Sequence, residues 1–138
     1  MQIDYKFVSI RNLKRIILTA ELSEIKDIYS AIDSFFSEIT DGLDSKLLNK
    51  TIVKYPSSVG GFPNYTYLAA LSTSHIAVST YISEKEKYID IEMAWCSSVD
   101  ISKDEFIKLI KKHFDIKRYK YLKLDYKGRI LDEDGLLD

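Results

Sequence analysis

The sequence is poor in the residues that staple or interrupt a fold. Cys96 is the single cysteine among 138 residues, so no internal disulfide can form. Histidine occurs only at His75 and His113, and with one cysteine these offer no metal-ligand spacing, so no metal centre is expected. Five glycines and two prolines are too few for a fibrous or low-complexity chain, and no Gly-rich phosphate motif is present. An excess of one charge is missing too. The 20 Lys and Arg against 21 Asp and Glu leave a net charge of -1. Without a basic footprint, no nucleic-acid partner is expected. No apolar run approaches the roughly 20 residues that span a bilayer. The N-terminus Met1-Gln2-Ile3-Asp4-Tyr5-Lys6 lacks the apolar core of a signal peptide. No membrane partner is expected, and the expected location is the cytoplasm.

What is there is the composition of a folded globular domain, 46% hydrophobic and 30% charged. A chain of this length folds as one domain, here residues 1–138, and buries roughly 70% of the surface its unfolded form exposes. Alternation predicts strands at Ile3–Ile10 and Lys14–Leu22. Ile25, Ile28, Tyr29, Ile32, Phe35, Phe36 and Ile39 recur at helical spacing and predict a helix at about 23–40, capped by Ser23 and stopped at Asp41-Gly42. Lys50–Tyr55 reads as a short strand. The loop Pro56–Pro63 holds both prolines and reads as a flexible connection.

Three strands then follow as a meander: Tyr65–Ser72, His75–Ile82 and, after a charged turn, Tyr88–Trp95. Ser102-Lys103-Asp104-Glu105 is a capping box, with Ile101 and Phe106 placed as a hydrophobic staple. It opens a second helix at about 102–114. A last strand is expected at Tyr119–Tyr126, then a polar tail. Two helices with one apolar stripe each call for one sheet that covers both. The fold expected is an α+β two-layer sandwich, a mainly antiparallel sheet with both helices on one face. Its other face stays uncovered, and a homodimer is expected.

Most residues able to do chemistry fall between Asn64 and Ser97. Ser72-Thr73-Ser74-His75 sits at the first meander turn, and Cys96 closes the third strand. Ser74 and His75 are adjacent, so on a strand they point to opposite faces, which speaks against a Ser-His hydrolase pair. Read by itself, Cys96 is equally a small buried residue at a strand end. His113 suits a helix C-terminus. Lys117–Lys123 alternates bases with aromatics, as an edge strand guarded by lysines or a single-strand nucleic-acid platform does. Asp132-Glu133-Asp134-Gly135 lacks the ligand series of a calcium loop and reads as a solvated tail.

The letters Leu71-Ser72-Thr73-Ser74-His75-Ile76-Ala77-Val78-Ser79-Thr80, followed by Asp90-Ile91-Glu92-Met93-Ala94-Trp95-Cys96, resemble the short prokaryotic S-adenosylmethionine decarboxylases, a pyruvoyl-enzyme family. The family has a strand ending in Leu/Ile-Ser-Glu-Ser-His, then a hydrophobic residue, Ser or Thr, Ile, His and Thr, and a later strand ending at a cysteine. The order of elements also matches, from Lys14 to about Arg129. The resemblance implies self-cleavage between Thr73 and Ser74, with the Ser74 remnant becoming an N-terminal pyruvoyl group that serves as the cofactor. It implies S-adenosylmethionine as ligand or substrate, a product that feeds spermidine synthesis, Cys96 as an acid, and dimers of processed protomers. Thr73 stands where the family has glutamate, and Ser79 where it has the histidine that helps processing and catalysis. His75 shares strand parity with Ser79 as a substitute.

Three readings follow: an active pyruvoyl-dependent decarboxylase; a non-cleaving relative that binds S-adenosylmethionine or pairs with a true decarboxylase subunit; and an unrelated α+β binding module. The first two call for Ser74, Cys96 and His75 or Ser79 to converge beside the first meander turn.

Overall fold

Along Lys14–Leu22 (β1) every second side chain is apolar, and Ile16, Leu18, Ala20 and Leu22 are buried on one side. The same alternation recurs in Asn64–Leu71 (β3), Ser74–Ile82 (β4) and Lys87–Trp95 (β5), which bury Tyr67, Ala69, Leu71, then Ile76, Val78, Ile82, then Ile89, Ile91, Met93, Trp95. With Leu47–Tyr55 (β2), Ile116–Leu124 (β6) and Ile130–Gly135 (β7) they form one sheet in the order β2-β3-β4-β5-β1-β6-β7, every neighbouring pair antiparallel. This is a computed structural model that describes residues 9–56 and 62–137. The strand expected at Ile3–Ile10 lies almost wholly outside the described residues, as does the middle of the Pro56–Pro63 loop. A short 3-10 turn occupies Ile10–Asn12.

Two helices, Ile28–Gly42 (α1) and Lys103–His113 (α2), cover the buried face. Phe35 of α1 meets Phe106 of α2 edge-on at 6.3 Å, Phe36 packs on Tyr67 of β3, and Phe106 packs on Tyr121 of β6. The two-layer α+β sandwich expected from the helical stripes is therefore the fold found. The capping box is present: Ser102 Oγ accepts the Glu105 N–H at 3.2 Å and donates to the Glu105 carboxylate at 2.9 Å.

Three expectations are corrected. Ser23 does not cap α1, because β1 stays paired to β6 through Leu22 and Ile116, and the Ser23 N–H donates to the Asp115 carbonyl at 2.8 Å. That pairing holds the chain extended past the expected start, and α1 begins after Asp27, which adopts a left-handed conformation with φ 56. The lysine-rich Lys117–Lys123 segment is not an edge strand, since β6 lies between β1 and β7. The acidic segment at 132–135 is not a solvated tail but most of β7. It is fastened by Tyr119 Oη donating to Asp134 at 2.7 Å and by Lys120 to Glu133 at 3.1 Å. Burial and that bond to Asp134 push the Tyr119 hydroxyl up to about 12. Gly135, at φ 85, ends the strand where a side chain would strike the Tyr119 carbonyl.

Candidate functional site

The register of β4 against β5 sets Ser74 opposite Trp95 and so brings Thr73 and Cys96 together just beyond the two strands. Both polar hydrogens of Cys96 meet one atom. Its backbone N–H donates to the Thr73 carbonyl oxygen at 3.3 Å, and its thiol donates to the same oxygen at 3.2 Å. That carbonyl belongs to the Thr73–Ser74 peptide bond. Cys96 is half-buried, as are Thr73 and Ser74. Two donors aimed at one carbonyl oxygen polarise it and stabilise negative charge that develops there when the carbon is attacked. Ser74 carries the hydroxyl adjacent to that carbon.

The chain that leads away from Cys96 is anchored in turn. Trp95 Nε1 donates to the Val99 carbonyl at 2.9 Å. Lys123, almost wholly buried, donates to Asp100 at 2.7 Å and to the Ile101 carbonyl at 2.9 Å, with its ammonium 5.8 Å from the centre of a Trp95 ring. Burial pushes the Asp100 carboxyl up, but the hydrogen bond and charge of Lys123, with Lys14, outweigh it and hold the carboxyl below its usual range.

The remaining candidate residues lie elsewhere. His75 follows Ser74 but points to the open face of the sheet, where it is exposed and lines a shallow cavity of about 360 Å³ with Leu68, Ala70 and Ala77. Ser79 shares that face. Its hydroxyl is 2.8 Å from Thr66 Oγ1, which is 2.9 Å from Tyr55 Oη. Five residues at about 3.3 Å each put Ser79 roughly 17 Å along β4 from Ser74, beyond reach within one protomer. His113 sits at the end of α2 with Nε2 3.2 Å from Glu38, remote from Ser74 along the sequence and on a different layer. Among the described residues no group of three or more His, Cys, Asp or Glu is arranged to hold a metal ion.

The family model for S-adenosylmethionine decarboxylase matches residues 18–126, most of the chain. The chain belongs to the S-adenosylmethionine decarboxylase family. Among individual curated proteins, none matches the sequence. The family match spans β1 to just past β6 and contains Thr73, Ser74, Ser79 and Cys96. The hydroxyls of Ser45, Thr66 and Tyr55 go unmarked in the sequence: Ser45 bonds to Thr73, Thr66 to Ser79, and Tyr55 to Thr66 in turn. Isolated Ser, Thr and Tyr residues carry no spacing signal. Only the strand register, invisible before the sheet order is known, brings Thr66 opposite Ser79.

Proposed function

We propose that this member of the family binds S-adenosylmethionine and keeps the ester-forming half of self-processing at Thr73–Ser74, while lacking the imidazole that drives the second half. The observation that carries this reading is the pair of Cys96 donors on the Thr73 carbonyl oxygen, at 3.3 and 3.2 Å. Attack by Ser74 Oγ on that carbon forms an ester and frees the Ser74 nitrogen. Breaking the chain then requires a base to remove the Ser74 α-proton. A serine hydroxyl at position 79 takes no proton near neutral pH as an imidazole does. The isolated chain is accordingly expected to remain largely uncut. Where elimination does occur, the 1–73 chain leaves as a carboxylate, and the dehydroalanine left at position 74 takes up water and releases ammonia to become a pyruvoyl group, which would supply the electron sink for decarboxylation in the cytoplasmic route to spermidine.

Position 79 also sets a condition on assembly. At roughly 17 Å along β4 it serves Ser74 only from a second copy of the chain. The open sheet face supports such a homodimer, for it carries Leu68 and Tyr81 at 45% and 58% exposure next to Thr66 and Ser79. A second reading, in which the chain pairs with a competent decarboxylase subunit, is favoured by the same displacement: a partner with histidine in place of Ser79 would supply the missing base. Calorimetric titration of the purified chain with S-adenosylmethionine tests the ligand. Saturable heat is expected, and no heat together with no thermal stabilisation contradicts the proposal.

A further inference from the structure

Ser45 belongs to no motif, yet three polar atoms of the turn between β3 and β4 converge on its hydroxyl. The end of α1 turns back on itself: the Leu43 N–H donates to the Ile39 carbonyl and the Ser45 N–H to the Thr40 carbonyl, each at 3.0 Å. Between them Asp44 lies at φ 49, a left-handed conformation that a non-glycine residue keeps only where its surroundings hold it. The turn delivers Ser45, only 9% exposed, to the residues just before the cleavage position. Its Oγ lies 3.3 Å from Thr73 N, 3.0 Å from Thr73 Oγ1 and 3.1 Å from Ser72 Oγ.

Counting protons assigns these bonds. A serine hydroxyl has one proton and two lone pairs. The Thr73 N–H can only donate, so it takes one lone pair, and the Thr73 hydroxyl donates to the other. The Ser45 proton is left for Ser72 Oγ, which also accepts the Lys46 N–H at 2.9 Å. The Ser45 hydroxyl is saturated and cannot rotate without breaking a bond.

We propose that Ser45 is a positioning residue for ester formation at Ser74. Thr73 is held at both ends, its N–H and side chain by Ser45 and its carbonyl oxygen by Cys96. With its N–H and hydroxyl both anchored, the Thr73 Cα is held in place, which limits how far the carbonyl can turn off the Cys96 donors and keeps its carbon presented to Ser74. In the step itself, Ser74 Oγ bonds to the Thr73 carbonyl carbon, the carbon–nitrogen bond breaks, and the hydroxyl proton ends on the Ser74 nitrogen. No atom is gained or lost. Ser45 touches none of the reacting atoms and acts through the orientation of Thr73.

This role rests on the self-processing reading, and hydroxylamine separates the two. Hydroxylamine intercepts an ester at Thr73, giving a 1–73 fragment that ends in a hydroxamate and a second fragment that begins with an intact Ser74, so it needs no elimination base. Incubated at neutral pH and followed by mass spectrometry, the unaltered chain is expected to yield this pair of fragments. Ser45→Ala is expected to slow their appearance about tenfold or more, Thr73→Val less, and Ser45→Thr, which keeps the hydroxyl, by no more than about threefold. The Thr73 amide is expected to exchange with deuterium about tenfold faster in Ser45→Ala alone, a readout independent of chemistry. Unchanged cleavage in Ser45→Ala, or equal loss in Ser45→Thr, overturns the role of Ser45 and leaves self-processing standing. No trapped fragment from the unaltered chain or from Ser79→His overturns self-processing and this role with it.

Discussion

The Thr73 carbonyl oxygen accepts two hydrogen bonds from one residue, the backbone N–H and the thiol of Cys96. The backbone donor survives any substitution but proline, so a change to alanine or serine tests the thiol alone. Cys96→Ala is therefore expected to slow hydroxylamine-trapped cleavage at Thr73–Ser74 by about tenfold or more, as loss of one donor at a developing oxyanion does. Cys96→Ser keeps a donor and should retain most of the rate. A Cys96→Ala chain trapped at the unaltered rate would leave the thiol no part in ester formation.

On the proposed assembly, the separation along β4 makes the base a matter of two chains. A chain with Ser74→Ala and Ser79→His cannot cleave itself, but it carries an imidazole. Mixed with the unaltered chain, it is expected to promote cleavage of the latter, seen as two fragments from the unaltered partner only. Leu68→Glu, which places a charge on the open face, should abolish that effect and return the light-scattering mass to the 16.0 kDa of one chain. Cleavage that proceeds within a protomer shown to be monomeric contradicts the assembly.

Asp100 and Lys123 give a prediction on stability. Lys123 is nearly buried, with 9% of its side chain exposed, so removing its carboxylate partner leaves the ammonium with the Ile101 carbonyl and the Trp95 ring. Because the Asp100 side chain is itself 56% exposed and partly screened by water, Asp100→Ala is expected to cost only about 1 kcal/mol, read as a lower urea midpoint at unchanged slope. The pH dependence has a definite sign. The folded Asp100 carboxyl titrates below its usual range, so its contribution is complete above the unfolded value of about 3.9 and is lost as pH falls through the lower folded value. Stability of the unaltered chain should fall on acidification below about pH 4, and less steeply in Asp100→Ala. Parallel acid profiles for the two chains would show that the pair is solvated and without effect.

Legibility in the sequence followed from how local each signal is. Lys14–Leu22 and the three meander strands lie within a residue or so of their expected bounds because alternation is carried by each strand alone. The start of α1 depends on a distant cause, the pairing of Leu22 with Ile116. The acidic residues of β7 look like tail when read alone. What makes them a strand is Tyr119, Lys120 and the clearance at Gly135, all properties of the neighbouring strand. At the site, the letters around Ser74 and Cys96 mark two segments that the pairing of β4 with β5 sets side by side. The anchoring of Thr73 by Ser45 depends on a left-handed Asp44 that no pattern announces.

The most direct test is the denatured intact mass of purified protein, unaltered and with Ser79→His, followed over time. A single species near 16.0 kDa is expected for the unaltered chain. Ser79→His is expected to convert progressively to two fragments divided at Thr73–Ser74, a conversion abolished by adding Ser74→Ala. Rapid cleavage of the unaltered chain, or a Ser79→His chain that stays whole, would contradict the proposed function.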